Sequence, residues 1–88
     1  MDIAEKIKFL RHNLNISQDN FAKLLSVSKT TIKNWESGTS KPTTANIMLI
    51  ANVCHVTVDY LIYDNHPLEI TLNNKDDEAY EILDKLIL

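Results

Sequence analysis

Lys29, Thr30, Lys33 and Asn34 are the residues of this chain best equipped for recognition chemistry. All four fall between Ser28 and Glu36, where Ile32 and Trp35 are spaced to share the apolar side of a short helix. A lysine ammonium donates to the acceptor edge of guanine. An asparagine amide grips adenine through two hydrogen bonds, and a threonine methyl fits against thymine. A helix with that outer face suits a nucleic-acid groove. The plain alternative is a solvated helix surface, and periodicity alone does not separate the two. Catalysis has no positive support: no Ser-His-Asp order, paired carboxylates or phosphate-binding glycine loop is present, so no enzyme and no cofactor are expected.

A face of this kind needs a scaffold to aim it. Ser17 is a good N-cap, and Phe21, Ala22 and Leu25 repeat on one side of a helix over about 17–25. Ser26-Val27-Ser28 interrupts that pattern, and Ser28 caps a second helix over about 28–36. The pair reads as helix-turn-helix with the second helix as the reader. The turn calls for a left-handed residue, usually glycine; here Ser26 stands in that place at a small strain cost.

The flanks are helical too. Ile3, Ile7, Leu10 and Leu14 give a helix over 2–13, capped by Asp2 and ended near Asn15. Lys6, Lys8 and Lys23 read as solvated. Ile16 sits at the hydrophobic-staple position toward Phe21. Gly38, the only glycine, suits a helix C-cap, and Thr39-Ser-Lys-Pro42 makes a polar loop. Thr43 or Thr44 caps a helix over about 44–54 with Ile47, Ile50, Ala51 and Cys54 facing inward. Thr57 caps a short helix to Ile62, with Val58, Leu61 and Ile62 inward. Trp35 reads as core. Cys54 and His55 have no further ligands at metal-binding spacing, so they too read as core and no metal is expected.

His66-Pro67 marks a boundary between a domain over 1–65 and an extension over 66–88. Leu68-Glu-Ile-Thr-Leu72 alternates like a half-buried strand, with no partner strand elsewhere in the chain. Residues 75–88 read as an amphipathic helix with Ala79, Ile82, Leu83, Leu86 and Ile87 in one stripe. A strand with unmet backbone groups and an apolar-faced helix fit a dimerisation element, in which Leu68, Ile70, Leu72, Ile82, Leu83 and Leu86 make the contact. The alternative is that the helix packs on its own domain. The apolar stop at Ile87-Leu88 reads as a chain cut short.

Charge divides close to that boundary. The chain of 88 residues carries a net −3. Residues 1–63 hold seven Lys/Arg against five Asp/Glu, whereas residues 64–88 hold two against seven. The acidic surplus lies in the extension, which leaves the domain slightly basic. A lone cysteine forms no internal disulfide. No apolar run approaches the ~18 residues of a membrane span, and Met1 to Lys6 lack a signal peptide's basic and apolar regions. A cytoplasmic protein without a membrane partner is expected.

In residue type and spacing together the chain resembles a known family. Leu10-Arg11, Ser17-Gln18, Phe21-Ala22, Leu25, Val27-Ser28, Thr31-Ile32, Trp35-Glu36, Gly38, Pro42 and Val58-Asp59-Tyr60-Leu61 are similar to the DNA-binding domain of lambdoid phage repressors and Cro proteins, the Xre-type helix-turn-helix. The resemblance covers residues 3–62. It implies an all-α, five-helix lambda-repressor-like domain, here with a short strand-plus-helix extension. It also implies that Lys29, Thr30 and Asn34 face base edges, while Gln18, Ser28, Lys33, Thr39 and Lys41 meet the DNA backbone. Gln18 often braces a side chain of the reading helix as well, and Arg11 and Glu36 match a buried pair. Ser26 and Asn15 stand where the family often has glycine. The function implied is a sequence-specific transcription regulator, a repressor that binds a palindromic operator in double-stranded DNA as a homodimer. A second class fits the same residues: an antitoxin or protein-interaction module whose extension holds a protein partner and whose DNA binding is autoregulatory.

Overall fold

A computed structural model describes residues 1–64, 67, 68, 70 and 71. Five helices follow one another: α1 (Ile3–Asn13), α2 (Gln18–Leu25), α3 (Lys29–Ser37), α4 (Thr44–Cys54) and α5 (Val58–Ile62). Each begins on a residue whose short polar side chain accepts a hydrogen bond from the amide three positions on. Asp2 serves Glu5, Ser17 serves Asn20, Ser28 serves Thr31, Thr43 serves Asn46, and Thr57 serves Tyr60. These bonds satisfy amides that the helix itself leaves without a partner.

The ends are equally local. Asn15, Ser26, Gly38 and His55 all have positive φ, so four of the connections reverse through a left-handed residue. Ser26 lies at φ 57°, ψ 41° in the turn between α2 and α3, the conformation assigned to it from the sequence. Asn15 likewise takes φ 57°. His55 does the same between α4 and α5, which the sequence pattern marked only as a break.

The core gathers one face from every helix. Ile7 and Leu10 of α1, Phe21 of α2, Ile32 of α3, Ile50 of α4 and Leu61 of α5 are fully buried. Trp35 joins them, and Ile16 is partly buried against the same cluster. α3 therefore lies against α1 and α2 through Ile32 and Trp35 and leaves its other side to solvent.

Three expectations are corrected. Lys6 is not solvated but only 2% exposed. Its Nζ donates to the carbonyls of Tyr60 (2.6 Å) and Tyr63 (2.8 Å) and sits 4.9 Å from the centre of the Tyr60 ring. The last carbonyls of α5 lack intrahelical donors and carry the negative end of the helix dipole, so a lysine from α1 is a fitting cap. Ile62 does not face inward but is 48% exposed, because Tyr60 occupies the core position with Leu61. The segment around Ile70 does have a partner in its own chain. Ile70 forms an isolated antiparallel bridge with Val56, and the Thr71 amide donates to the His55 carbonyl at 2.8 Å. The left-handed turn at His55 is what makes that pairing possible: it leaves the carbonyl outside any helix.

Candidate nucleic-acid interface

The outer side of α3 is assembled by the caps and the core together. Ser28 is exposed, and its Oγ accepts from the Thr31 amide at 3.1 Å. The same oxygen bonds Thr31 Oγ1 at 2.9 Å, so Thr31 is engaged with the cap and half-buried. Lys29, Thr30 and Lys33 are exposed, and Asn34 is half-buried beside them. No carboxylate lies in the first turn of α3. The three residues expected at base edges thus share a face, which also carries Lys33 and begins at the Ser28 cap.

One buried network fixes the C-terminal half of that helix. Arg11 of α1 grips Glu36 with two hydrogen bonds, Nε to Oε2 at 2.5 Å and Nη2 to Oε1 at 3.0 Å. The side chains are 11% and 4% exposed. Arg11 Nη1 also donates to the Ile16 carbonyl at 2.8 Å, tying the α1–α2 connection to the same guanidinium. Gln18, first residue of α2, donates from Nε2 to Glu36 Oε1 at 3.1 Å. Burial alone pushes the Glu36 carboxyl upward. The hydrogen bonds from Arg11 and Gln18 and the positive charge nearby outweigh it, and the group ends below its ordinary value. Glu36 is therefore ionised at neutral pH and joins all of the first three helices. Gln18 braces the reading helix in this way while remaining only half-buried at the N-terminus of α2. Lys8, Gln18, Lys33 and Ser37 line a shallow groove over the network.

The loop after α3 is held by one carbonyl. Asn34 O accepts from the amides of Thr39 (2.9 Å) and Ser40 (3.2 Å), and Ser37 Oγ bonds both Asn34 O and Thr39 Oγ1. Gly38 makes the reversal with φ 79°. Thr39 and Lys41 are exposed at its tip, and Pro42 is buried behind them. Sequence reasoning missed two contributors. Ser37 orients Thr39, and Lys6 fixes the end of α5; each depends on contacts that helical spacing does not encode.

Other sites expected from the sequence fall elsewhere. Cys54 and His55 are buried at the end of α4, and burial pushes the Cys54 thiol up to about 12. Of the residues expected to dimerise, Leu68 is exposed and Ile70 is half-buried on Val56. Leu72, Ile82, Leu83 and Leu86 lie outside the described residues. Among the described residues, no helix is long and apolar enough to cross a membrane.

Comparison with known proteins places this geometry. The helix-turn-helix family model HTH_3 matches residues 7–61. The HTH-type transcriptional regulator DicA of Escherichia coli (strain K12) is 28% identical over 94 aligned residues, spanning 98% of this chain and 70% of DicA. The HTH-type transcriptional activator BcrR of Enterococcus faecalis is 37% identical over 62 residues, covering 70% of this chain but 30% of BcrR. A crystal structure of the P22 c2 repressor in complex with a synthetic operator superposes with a TM-score of 0.66. It is 28% identical and covers 69% of this chain and 92% of that one.

Proposed function

We propose, from the premise that this chain belongs to the helix-turn-helix family, that it is a DNA-binding transcription regulator. The observation that carries the reading is the outer face of α3. Lys29, Thr30 and Asn34 stand free of the core while Arg11, Glu36 and Gln18 lock the helix from behind. Rigid support behind adaptable donors is what base readout requires, since each bidentate contact is worth about 1–3 kcal/mol only when its geometry is fixed.

The division of labour follows. Lys29, Thr30 and Asn34 read base edges in a major groove. Ser28, Lys33, Thr39 and Lys41 meet phosphates on either side, and Gln18 contacts the backbone from the α2 N-terminus, where helix amides favour an anion. A domain with so small a positive surplus gains little from charge alone. Two copies on a palindromic operator, with reading helices about 34 Å apart, double the contacts. The exposed apolar residues at the exit of α5, Ile62, Tyr63 and Leu68, are candidates for the contact between copies. The regulator acts in the cytoplasm as a repressor, by occupying a promoter.

Selection of bound sequences from random duplex DNA at moderate salt tests this. An inverted repeat should be enriched. If no sequence is enriched, the face is a solvated surface and the reading is wrong.

A further inference from the structure

The groove over the Arg11–Glu36 network is polar on every side. Among the described residues it is lined by Lys8, Arg11, Gln18, Lys33, Glu36 and Ser37, with no apolar side chain. Its volume is about 280 Å³. A phosphodiester group, a few times the ~30 Å³ of a water molecule, fits such a space. Three of these residues are cations and one is a carboxylate, so the lining carries a surplus of positive charge. The carboxylate is already engaged. Glu36 Oε1 accepts from Arg11 Nη2 and from Gln18 Nε2, and Oε2 accepts from Arg11 Nε. The groove therefore offers an anion Lys8, Lys33 and the second hydrogen of the Gln18 amide nitrogen, since Glu36 takes only one.

Helical spacing explains how two lysines come to flank the buried pair. Lys8 precedes Arg11 by three residues on α1, and Lys33 precedes Glu36 by three on α3. Residues three apart share a helix face, so each lysine stands one turn from its own member of the pair. Both are exposed, and among the described residues neither has an ion-pair partner. Lys6 and Lys23 differ in this respect: Lys6 is buried on the end of α5, and Lys23 lies 3.5 Å from Asp19. Lys33 also belongs to the outer face of α3 with Lys29 and Thr30, so the groove is continuous with the face that meets bases.

We propose that this groove seats one phosphate of the bound DNA, and that Lys8 is a further backbone-binding residue that grips it together with Lys33 and Gln18. The proposal rests on the regulator reading. It brings α1 into the interface, where helical periodicity left Lys8 to solvent. One phosphate is then held from three helices that Arg11, Gln18 and Glu36 already lock together, so its position fixes that of the reading helix. Lys8 carries no sequence information of its own; it sets register and orientation.

Duplex binding by the full chain over a salt series tests it. Lys8→Gln should lower the slope of log affinity against log salt by about 0.9, as the loss of one phosphate contact requires. Affinity should fall about fivefold at ~0.15 M salt, for the selected operator and for an unrelated duplex alike. Lys23→Gln removes the same charge outside the groove and should leave the slope as it is. An unchanged slope in Lys8→Gln, or an equal drop in Lys23→Gln, overturns the inference. A second arm locates the phosphate. Neutral methylphosphonates are placed one at a time along the operator backbone. At one position in each half-site the replacement should cost the unsubstituted protein about fivefold or more, and should cost both Lys8→Gln and Lys33→Gln at most about half as much, because part of the contact is already gone. If Lys8 couples to no position, or to a different one from Lys33, the shared seat is overturned. The regulator reading fails separately: selection would then enrich no sequence, while Lys8→Gln would still lower the slope on the unrelated duplex.

Discussion

Replacing Glu36 by Gln is the sharpest perturbation of this protein. The change is nearly isosteric but removes the charge and presents an amide nitrogen to guanidinium donors. Glu36 is 4% exposed at its side chain and Arg11 is 11%, so the pair belongs with buried ion pairs, not with surface ones. Removing one member leaves the other buried and uncompensated, at a cost of about 3–5 kcal/mol. A domain of this size has a total stability of roughly 4–13 kcal/mol, and a loss of 1 kcal/mol lowers Tm by about 4–8 °C. Glu36→Gln should therefore lower Tm by at least about 12 °C. Arg11→Met combined with Glu36→Leu removes both charges and should recover at least about 2 kcal/mol of that loss, since a buried pair is often replaceable by apolar groups. Because Gln18 then has no partner on α3, operator affinity should stay low even as stability returns. pH provides a further check. The folded pKa of Glu36 lies below its ordinary value of 4.5, so its contribution is fully present above that value and is lost as pH falls through the lower folded one. The stability gap between wild type and Glu36→Gln should close as pH drops below about 4.5. Urea denaturation at pH 7 and across pH 2–5 measures both effects. A single-substitution cost under about 1 kcal/mol, typical of an exposed pair, refutes the reasoning.

Other outcomes follow from the same structure. Lys6→Met should cost about 2–4 kcal/mol by urea denaturation, since it strips the donors from two carbonyls at the end of α5. A loss within 0.5 kcal/mol, the range of ordinary surface changes, would place that ammonium in solvent. Ser26→Gly should raise stability by roughly 0.5–1 kcal/mol, because the left-handed conformation at φ 57° costs a serine more than a glycine; Tm is the readout. Asn34→Ala should relax specificity at one base pair, whereas Lys41→Ala should weaken all duplexes alike and reduce the salt slope by about 1; titrations over a salt series separate them. Cys54, its thiol pushed up to about 12, should resist a thiol reagent at pH 8 in the folded protein and react at once in denaturant.

The helices were legible because their signals are local. Asp2, Ser17, Ser28, Thr43 and Thr57 each cap the amide three residues on, a bond set by sequence distance alone. Ser26 and Gly38 mark reversals through backbone preference in the same way. The outward set Lys29, Thr30, Lys33 and Asn34 follows from where Ile32 and Trp35 must point. Arg11 with Glu36 was accessible only through the family resemblance, since 25 residues separate them and no periodicity links them.

What the sequence by itself determined, then, is the helices, their caps and the face that α3 turns to solvent, because each rests on interactions within a turn or two of chain. Tertiary structure decided the rest. Periodicity treats a lysine between apolar positions as solvated, yet Lys6 is drawn inward by carbonyls 54 and 57 residues away. Alternation at 68–72 suggests extended chain but cannot say what lies beside it; the left-handed His55 supplies a carbonyl to Thr71, and Ile70 bridges Val56. Both depend on where α5 and its turn come to lie against α1 and α4, and that placement is a property of the packed core.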